Sequence, residues 1–565
     1  MRKHAEFYRR ALSAAVAALT VVASACLTSG VAAAQHPDIV PVRLLAFNDL
    51  HGTLAPPQGE VGEVTGVDGA VIPAGGAAYL AAYIDQLRSQ ADNSLLYSVG
   101  DNWGSSALES AFFHDEPTVA FLNRLGVAAS GIGNHELNAG FDEFQRMQRG
   151  GCHPVDGCEF APSFTGTDFP MLAANMTYTN GIPATLPFSV DYVAGIPIGV
   201  IGVMPENSAS IIAAGRTDGL AFGDELQAID RTADLLDFFG VKAITVLLHR
   251  GDSSTTGSGP DSCDLTTDAA RRIAASANPK VDVVFSAAGT NQYNCSVDDP
   301  LGRQRVFMQG ASNGRALSVV DVSIDRTTRD VVREQSNAFN QIVSRSITPD
   351  AAVSDLVDEA TAKAAAVAKR VVGSTANQVP RAVQPSGESA LGNLIADAQL
   401  AASAPAGAQL ALMNPGGIRA DLASGSISYG ELHDVQPFGN TVRVVSMTGD
   451  RIIEALEQQF QQRDDGSPVR QVLAPSGNVS YELRVGAAPG SRIVDLSIDG
   501  KPVARDDEYR VAINAFLAGG GDGFGAFRDA RNGVDVGTDV DLLAAYLGAR
   551  GPVPAPPTNR IKVTG

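Results

Sequence analysis

The sequence predicts an α/β protein built in two parts and joined by a long helix. Three observations carry this reading. Between Val40 and about Ile324, apolar runs alternate with amphipathic helical stretches, the pattern of a layered α/β domain. Residues 350–371 (DAAVSDLVDEATAKAAAVAKRV) are Ala-rich and lack Gly and Pro, so they read as one helix between two domains. A second α/β pattern begins at Val372. At 565 residues the chain is too long for a single hydrophobic core, which fits this division.

Each part can be placed in order. Arg2, Lys3, Arg9 and Arg10 precede an apolar run from Ala11 to Cys26, and Val31-Ala32-Ala33-Ala34 offers a cleavage site before Gln35. Residues 1–34 therefore predict a signal peptide and a secreted or cell-envelope location. The alternative is a lipoprotein signal with Cys26 acylated, although Ala23-Ser24-Ala25 lacks the usual leucine. No other segment is long and apolar enough to span a membrane. Without the signal, Cys152, Cys158, Cys263 and Cys295 remain. An even count in an exported chain predicts two disulfides, most simply Cys152–Cys158 and Cys263–Cys295. The first domain is expected over 40–332, the linker helix over 350–371 and the second domain over 372–551. Residues 552–565, opening with Pro552 to Pro557, read as a loose tail.

A net charge of −20 argues against general nucleic-acid binding, because phosphate backbones attract basic faces. A small anionic substrate stays compatible, since a bound cation reverses the local field. The chemistry lies at strand ends. RLLAFNDLHG is an apolar strand followed at once by Asp49 and His51; SLLYSVGDNWGSS delivers Asp101; SGIGNHE delivers Asn134 and His135; AITVLLHRGD delivers His249. Ligands of open α/β sheets gather at the carboxyl ends of strands, so these residues can converge on one crevice. Oxygen and imidazole donors around a shared carboxylate suit a two-metal hydrolase.

The motifs Asn48-Asp49-Leu50-His51-Gly52, Gly100-Asp101, Gly133-Asn134-His135-Glu136 and His249-x-Gly251 resemble those of the calcineurin-like metallophosphoesterase domain of secreted bacterial 5′-nucleotidases. In the second half, ESALGNLIADA (388–398), Asn414-Pro415-Gly416-Gly417-Ile418-Arg419, Pro437-Phe438-Gly439-Asn440-Thr441 and FLAGGGDGF (516–524) resemble the nucleotidase C-terminal domain. The resemblance implies a two-layer β-sandwich flanked by helices, joined by the long helix to a mixed α/β C-terminal domain. It implies two divalent metal ions, zinc, manganese or similar. Asp49, His51 and Asp101 would hold one; Asp101 as the bridge, Asn134 and His249 would hold the other. His135 would act on the phosphate or the leaving group. Phe438 and Phe516 would sandwich the base, Asp522 and Asn414 would contact the nucleoside, and Arg419 the anionic end. Aromatic rings on glycine-rich loops suit this task, a stacked base being worth about 1–3 kcal/mol, although a single Phe more often packs into a core.

Three departures stand against the resemblance. The family ends its metal set with Gly-His-x-His or Gly-His-x-Gln after a strand such as VDVVFS; here Ala287, Ala288 and Thr290 take those positions. None of the eight histidines lies between Arg250 and Leu432, so no shift of register restores the ligands. Nearby Asn291 or Gln292 offers only an amide oxygen. Asn138 stands where the family has an Asp that orients the catalytic histidine; losing such a partner costs roughly 10–100-fold in metal affinity or activity. Gly387 stands where relatives carry another substrate-binding Arg. The expected function is an exported phosphohydrolase that removes phosphate from nucleoside 5′-monophosphates with metal-activated water, its ions weakly held. The alternatives are a catalytically impaired nucleotide-binding relative, or a 2′,3′-cyclic phosphodiesterase or UDP-sugar hydrolase. The site is expected between the two domains, with rotation about the 350–371 helix.

Overall fold

Two six-stranded sheets face each other in the first part of the chain. The first runs in the order Asn337–Ile342, Ala316–Asp325, Ile39–Phe47, Ser94–Ser98, Ala129–Gly131, Met171–Leu172, and the last four strands are parallel. The second runs Tyr293–Asp298, Gln304–Gln309, Val283–Ser286, Ala243–Leu248, Ile196–Val203, Phe188–Val193, with a parallel centre and antiparallel edges. The computed structural model that shows this describes residues 38–213, 215–255, 257–288, 292–462 and 468–564. The expected signal segment with Cys26, and Thr290 with Asn291, lie outside the described residues.

Successive strand residues point to opposite faces, and the sequence uses both. In the first strand Val42, Leu44 and Ala46 enter the layer between the sheets, while Leu45 and Phe47 turn to the helices outside. In Ala243–Leu248, Ala243 and Leu247 face the inter-sheet layer, and Ile244, Val246 and Leu248 face the other way. Such strands are apolar throughout because both faces are covered. Helices Ala77–Ser89, Glu116–Leu125 and Phe141–Arg149 cover the first sheet with Leu80, Ile84, Val119, Leu122, Phe144 and Met147. Helices Glu225–Phe238 and Ala269–Ser276 cover the second.

Helix Ala351–Ala368 starts at Asp350, whose carboxylate caps it by accepting from the Val353 amide at 2.7 Å. Its Val353, Val357, Ala360 and Ala364 are spaced to share one face, and all four are buried against the outer core of the first sheet. The helix also packs on helix Tyr429–Val435 of the second half. It is a docked element touching both halves, which a freely swinging linker would not be.

The second half is built on a five-stranded sheet in the order Ala474–Pro475, Leu410–Met413, Glu508–Asn514, Thr441–Thr448, Arg531–Thr538. Helix Ala390–Ser403, capped by Ser389 on the Gly392 amide at 3.0 Å, lies on one face. The described residues expected as a loose tail are not one. Ile561–Thr564 forms a strand parallel to Val479–Arg484, and Arg560 is buried with its guanidinium on Asp397 at 2.7 Å. The Pro-rich run delays rather than prevents this return, because Pro only forbids donating within a sheet. Both expected disulfides join, Cys152 with Cys158 and Cys263 with Cys295. No helix among the described residues is long and apolar enough to cross a membrane.

Candidate active site

The parallel strands deliver their loops to one end of the sandwich. Asp49 follows Ile39–Phe47, Asp101 follows Ser94–Ser98, Asn134 and His135 follow Ala129–Gly131, and His249 follows Ala243–Leu248. To turn at once, the backbone enters the left-handed region at Asp49, His51 and Asp101, with φ of 48°, 49° and 53°. Non-glycine residues held there carry strain that clusters at functional sites.

Three imidazole nitrogens surround one carboxylate oxygen. The Nε2 atoms of His249, His135 and His51 lie 3.2, 3.9 and 4.0 Å from Oδ2 of Asp101. The Nδ1–H of His249 donates to the Val99 carbonyl at 2.8 Å, and that of His51 to the Gly104 carbonyl at 3.0 Å. With Nδ1 bound to a carbonyl, Nε2 of His249 and of His51 is the ring nitrogen left to face Asp101 and to ligate an ion that displaces its proton, the arrangement of a metal-ligating histidine and its outer partner. His249 Nε2 is buried without a hydrogen-bond partner. A divalent cation fits Asp101, His249 and His51, because it would satisfy that orphan and bind the carboxylate and both imidazoles together.

Asp101 belongs to both groups that the donors form. One is His51, Asp101 and His135; the other is Asp49, Asp101 and His249, with donor atoms within 4.8 Å in each. Burial would raise Asp101, but the imidazoles of His249, His135 and His51 outweigh it and hold the carboxyl far below its usual range. Burial would lower His249, but Asp101, Asp49 and Glu136 hold it up to about 10. Burial lowers His135 to about 3. Glu136, pushed up to about 7 by burial and Asp101, accepts from the amides of Asp101, Asn102 and Gly133. It ties two of the loops together, a positioning role that its place inside the Gly-Asn-His-Glu motif did not disclose. Gly133 is packed so closely that a Cβ there would lie 2.1 Å from Asp101 Oδ1 and 2.6 Å from His249 Nε2.

Ala288 sits where an imidazole was expected, at φ 73°. Its backbone N–H donates to both Asp49 oxygens, at 3.2 and 3.1 Å, and Asn48 Nδ2 donates to Oδ2 at 2.7 Å. The loop thus stabilises the Asp49 charge by its backbone instead of presenting a side-chain ligand. The second expected vacancy, Thr290, is among the residues not described.

A cleft of ≈ 220 Å³ opens beside these groups and joins the two halves of the chain. Asn134, His135 and Asn138 line it from the first half; Asn414, Arg419, Phe438, Phe516 and Asp522 line it from the second. Every substrate residue expected from the sequence therefore lies in one cavity with His135. Asn138 Nδ2 faces His135 Nδ1 at 2.9 Å, which places the ring proton on Nε2. The Phe438 ring lies 5.8 Å from the His135 ring, tilted by 23°, and the Arg419 guanidinium sits 5.7 Å from the Phe438 centroid. Asn514 donates to Asn414 Oδ1 at 2.9 Å, and Asn414 donates to Asp522 Oδ2 at 3.0 Å, so both expected nucleoside contacts are held by hydrogen bonds. Asp522 itself has φ 53°. Asn440, Ile211 and Ala213 also line the cleft and escaped the sequence reading. Gly387 adopts φ 92°, and a Cβ there would lie 2.2 Å from Val472, so this backbone rejects the arginine that relatives carry. Arg381 is near enough that its charge, after burial, lowers the Arg419 pKa.

Residues 371–529 match the family model of the 5′-nucleotidase C-terminal domain. The chain is 32% identical over 488 residues to Endonuclease YhcR of Bacillus subtilis, covering 85% of this chain and 37% of that protein. It is 30% identical over 572 residues to Cell wall protein Lmo0130 of Listeria monocytogenes, covering 94% of this chain and 70% of that protein. The chain thus spans little more than a third of the Bacillus relative and over two thirds of the Listeria one. Among solved structures, a 5′-nucleotidase precursor from Thermus thermophilus superposes with a TM-score of 0.73 at 24% identity, covering 93% of this chain and 99% of that one. The fold agrees with these likenesses, and the chain belongs to the 5′-nucleotidase family of metallophosphoesterases.

Proposed function

We propose that the protein is an exported hydrolase that releases phosphate from nucleoside 5′-monophosphates. One observation carries the reading: His135 and Asn134 share a single cleft with Phe438, Phe516, Asn414 and Asp522. A base held between the two rings would direct its 5′-phosphate toward the Asp101 cluster. Asn414, held by Asn514, and Asp522, held by Asn414, would hold the nucleoside. Arg419 would meet the anionic end, and Arg381 would add the charge that Gly387 cannot supply.

Asp49, His51, Asp101, Asn134 and His249 would hold two divalent ions, with Asp101 shared. When bound, such ions supply a water of lowered pKa and neutralise the phosphate. His135 would donate from Nε2 to the developing charge on the phosphate or the leaving oxygen, its tautomer set by Asn138. The Ala288 amide on Asp49, in place of an imidazole, favours loose retention of the ions. It also supports the second reading, a relative that binds nucleotide and turns it over poorly.

The small volume of the cleft, ≈ 220 Å³, and the net charge of −20 favour a mononucleotide over a polynucleotide, despite the name of the Bacillus relative. The test is phosphate release from AMP, a 2′,3′-cyclic nucleotide, a UDP-sugar and single-stranded DNA, with added Mn²⁺ or Zn²⁺. AMP should be the preferred substrate. Tight AMP binding without phosphate release would select the second reading, and a preference for DNA would overturn the assignment.

A further inference from the structure

A hydrogen bond crosses from the second half of the chain to a loop beside the metal-compatible groups, and the proposed hydrolysis does not use it. Nε2 of His433, on helix Tyr429–Val435, lies 2.9 Å from the Ser106 carbonyl oxygen. A carbonyl only accepts, so Nε2 carries the proton and donates. Ser106 is buried, and its loop is held by the first half itself. The Gly104 amide donates to Asp115 Oδ2 at 3.3 Å, Ser110 Oγ donates to Asp115 Oδ1 at 2.7 Å, and the Gly104 carbonyl accepts from His51 Nδ1 at 3.0 Å. A Cβ on Gly52 would lie 2.5 Å from Ser106 Cβ, so the loop has no slack against the His51 turn. His433 therefore grips a fixed point.

The helix that carries His433 is placed to act as a lever. At its start, the Tyr429 amide donates to the Arg370 carbonyl at 2.9 Å, and the Arg370 guanidinium lies 4.8 Å from the Tyr429 ring centroid. Arg370 directly precedes strand Val371–Thr375, whose register shifts between Val371 and Gly373. Such bulges bend a strand, which makes this junction the pivot. At the other end, the Val435 carbonyl accepts from the Arg419 amide at 2.9 Å, and the chain runs on to Phe438. The helix thus ties the pivot to two residues of the cleft. It packs on helices Leu108–Ala111 and Ala351–Ala368, but packing alone tolerates sliding. A hydrogen bond is directional, and the one from His433 fixes where the helix stops. In that position the Phe438 ring stands 5.8 Å from the His135 ring, and Arg419 lines the same cleft.

We propose that His433 is a positioning residue for the hydrolysis: its bond to Ser106 latches the nucleoside half onto the metal-compatible half, so that Phe438 and Arg419 face His135. The proposal rests on the assignment of the cleft to nucleoside monophosphates. The bond involves none of the groups around Asp101, so its loss leaves them in place and lowers only the fraction of chains that are closed. Apparent affinity for AMP falls with that fraction. The fall is at most about 3- to 10-fold, the net worth of one hydrogen bond.

The test compares the full chain with His433→Ala, His433→Leu and His433→Gln. Leucine fills the space of the imidazole without a donor, so it replaces the alanine variant if that one misfolds; glutamine restores an N–H at similar reach. Hydrogen–deuterium exchange of the ligand-free protein reads closure directly. A second contact between the halves, helix Ser208–Ile211 on the Gly521–Gly523 turn, uses neither His433 nor Ser106. In the alanine and leucine variants, amides of 208–213 and 519–524 should exchange about 3- to 10-fold faster, together with those of 429–438, while the strands of the first sheet keep wild-type rates. KM for AMP should rise by up to the same factor, kcat for a simple aryl phosphate should hold, and glutamine should restore both exchange and KM. Loosening confined to 429–438, or a glutamine variant that behaves like alanine, would overturn the proposal. If the wild-type chain does not hydrolyse AMP, the reading of the cleft falls, and the exchange rates still decide the latch.

Discussion

Gly133→Ala is the sharpest single test of the catalytic geometry. The added Cβ would start 2.1 Å from Asp101 Oδ1, 2.5 Å from His249 Cε1 and 2.6 Å from His249 Nε2. Ordinary contacts need about 3.3–3.5 Å, so Asp101, His249 or the Gly133 backbone must move by roughly 1 Å. The backbone has little freedom, because the Gly133 amide is held by Glu136 at 2.8 Å. The carboxylate has as little, since Oδ1 accepts from the His135 amide at 2.8 Å. A displacement of about 1 Å costs on the order of 100-fold in rate when it falls on catalytic groups. Phosphate release from AMP at saturating Mn²⁺ should therefore drop about 100-fold, with a raised metal requirement. Circular dichroism and urea unfolding would check that the fold survives. A folded variant within threefold of wild type, at the same metal requirement, would refute the placement of Asp101 and His249 at the reacting centre.

Other outcomes follow from the same structure. Phe438→Ala or Phe516→Ala should raise KM for AMP by roughly 5- to 150-fold, the worth of about 1–3 kcal/mol of stacking, and barely change hydrolysis of an aryl phosphate; equal losses on both substrates would make the rings structural. Ala288→His, at a left-handed position that histidine tolerates better than most residues, should lower the Mn²⁺ concentration for half-maximal activity by at least the ~10-fold that an outer partner is worth; an unchanged metal curve would show that the backbone amide already completes the Asp49 environment. Burial pushes Asp539 up to about 7. Its folded form thus holds the proton more tightly than the unfolded chain, and the stability it contributes is full below about pH 4 and lost as pH rises through 7. The loss has a slope of at most about 1.4 kcal/mol per pH unit. Urea midpoints of Asp539→Asn should fall less steeply over that window than those of wild type, and parallel curves would refute the assignment.

The legible part of this molecule was whatever a strand end or a short loop delivers directly. Asp49, Asp101, His135 and His249 follow apolar runs that could only be buried strands, and their convergence follows from parallel pairing. Asn414 and Phe516 likewise follow Leu410–Met413 and Glu508–Asn514 of the second sheet. What stayed hidden depends on backbone conformation or on distant pairing. Ala288 acts through its amide, which no side-chain pattern records. Gly387 excludes an arginine only because Val472 comes from far along the chain. Glu136 reads as one more acidic residue until three amides are seen to converge on it. Strand Ile561–Thr564 is too short, and too near a Pro-rich run, to announce that it pairs with Val479–Arg484.

The left-handed residues explain why the two halves need each other. Asp49, His51, Asp101 and Ala288 on one side, and Asp522 on the other, hold φ between 48° and 73°. Each such residue costs on the order of 1–3 kcal/mol and persists only where its surroundings over-determine it. The first four are fixed by rigid strand ends, with Asp49 further held by the Ala288 amide and Asp101 by the His135 amide. Asp522 has no strand of its own. It is fixed by Asn414 at 3.0 Å and by Gln461, which donates to its backbone carbonyl. The metal-compatible half is thus preorganised by sheet geometry, and the nucleoside half by hydrogen bonds between loops. Loops of that kind open at low free energy, so substrate entry is best served by movement of the Asn414–Asp522 side. The docked helix Ala351–Ala368, buried along Val353, Val357, Ala360 and Ala364, opposes a hinge at its own N-terminal turns. Any rotation of the halves must therefore be taken up beyond Ala368, near the bulged strand Val371–Thr375, and not along the helix itself.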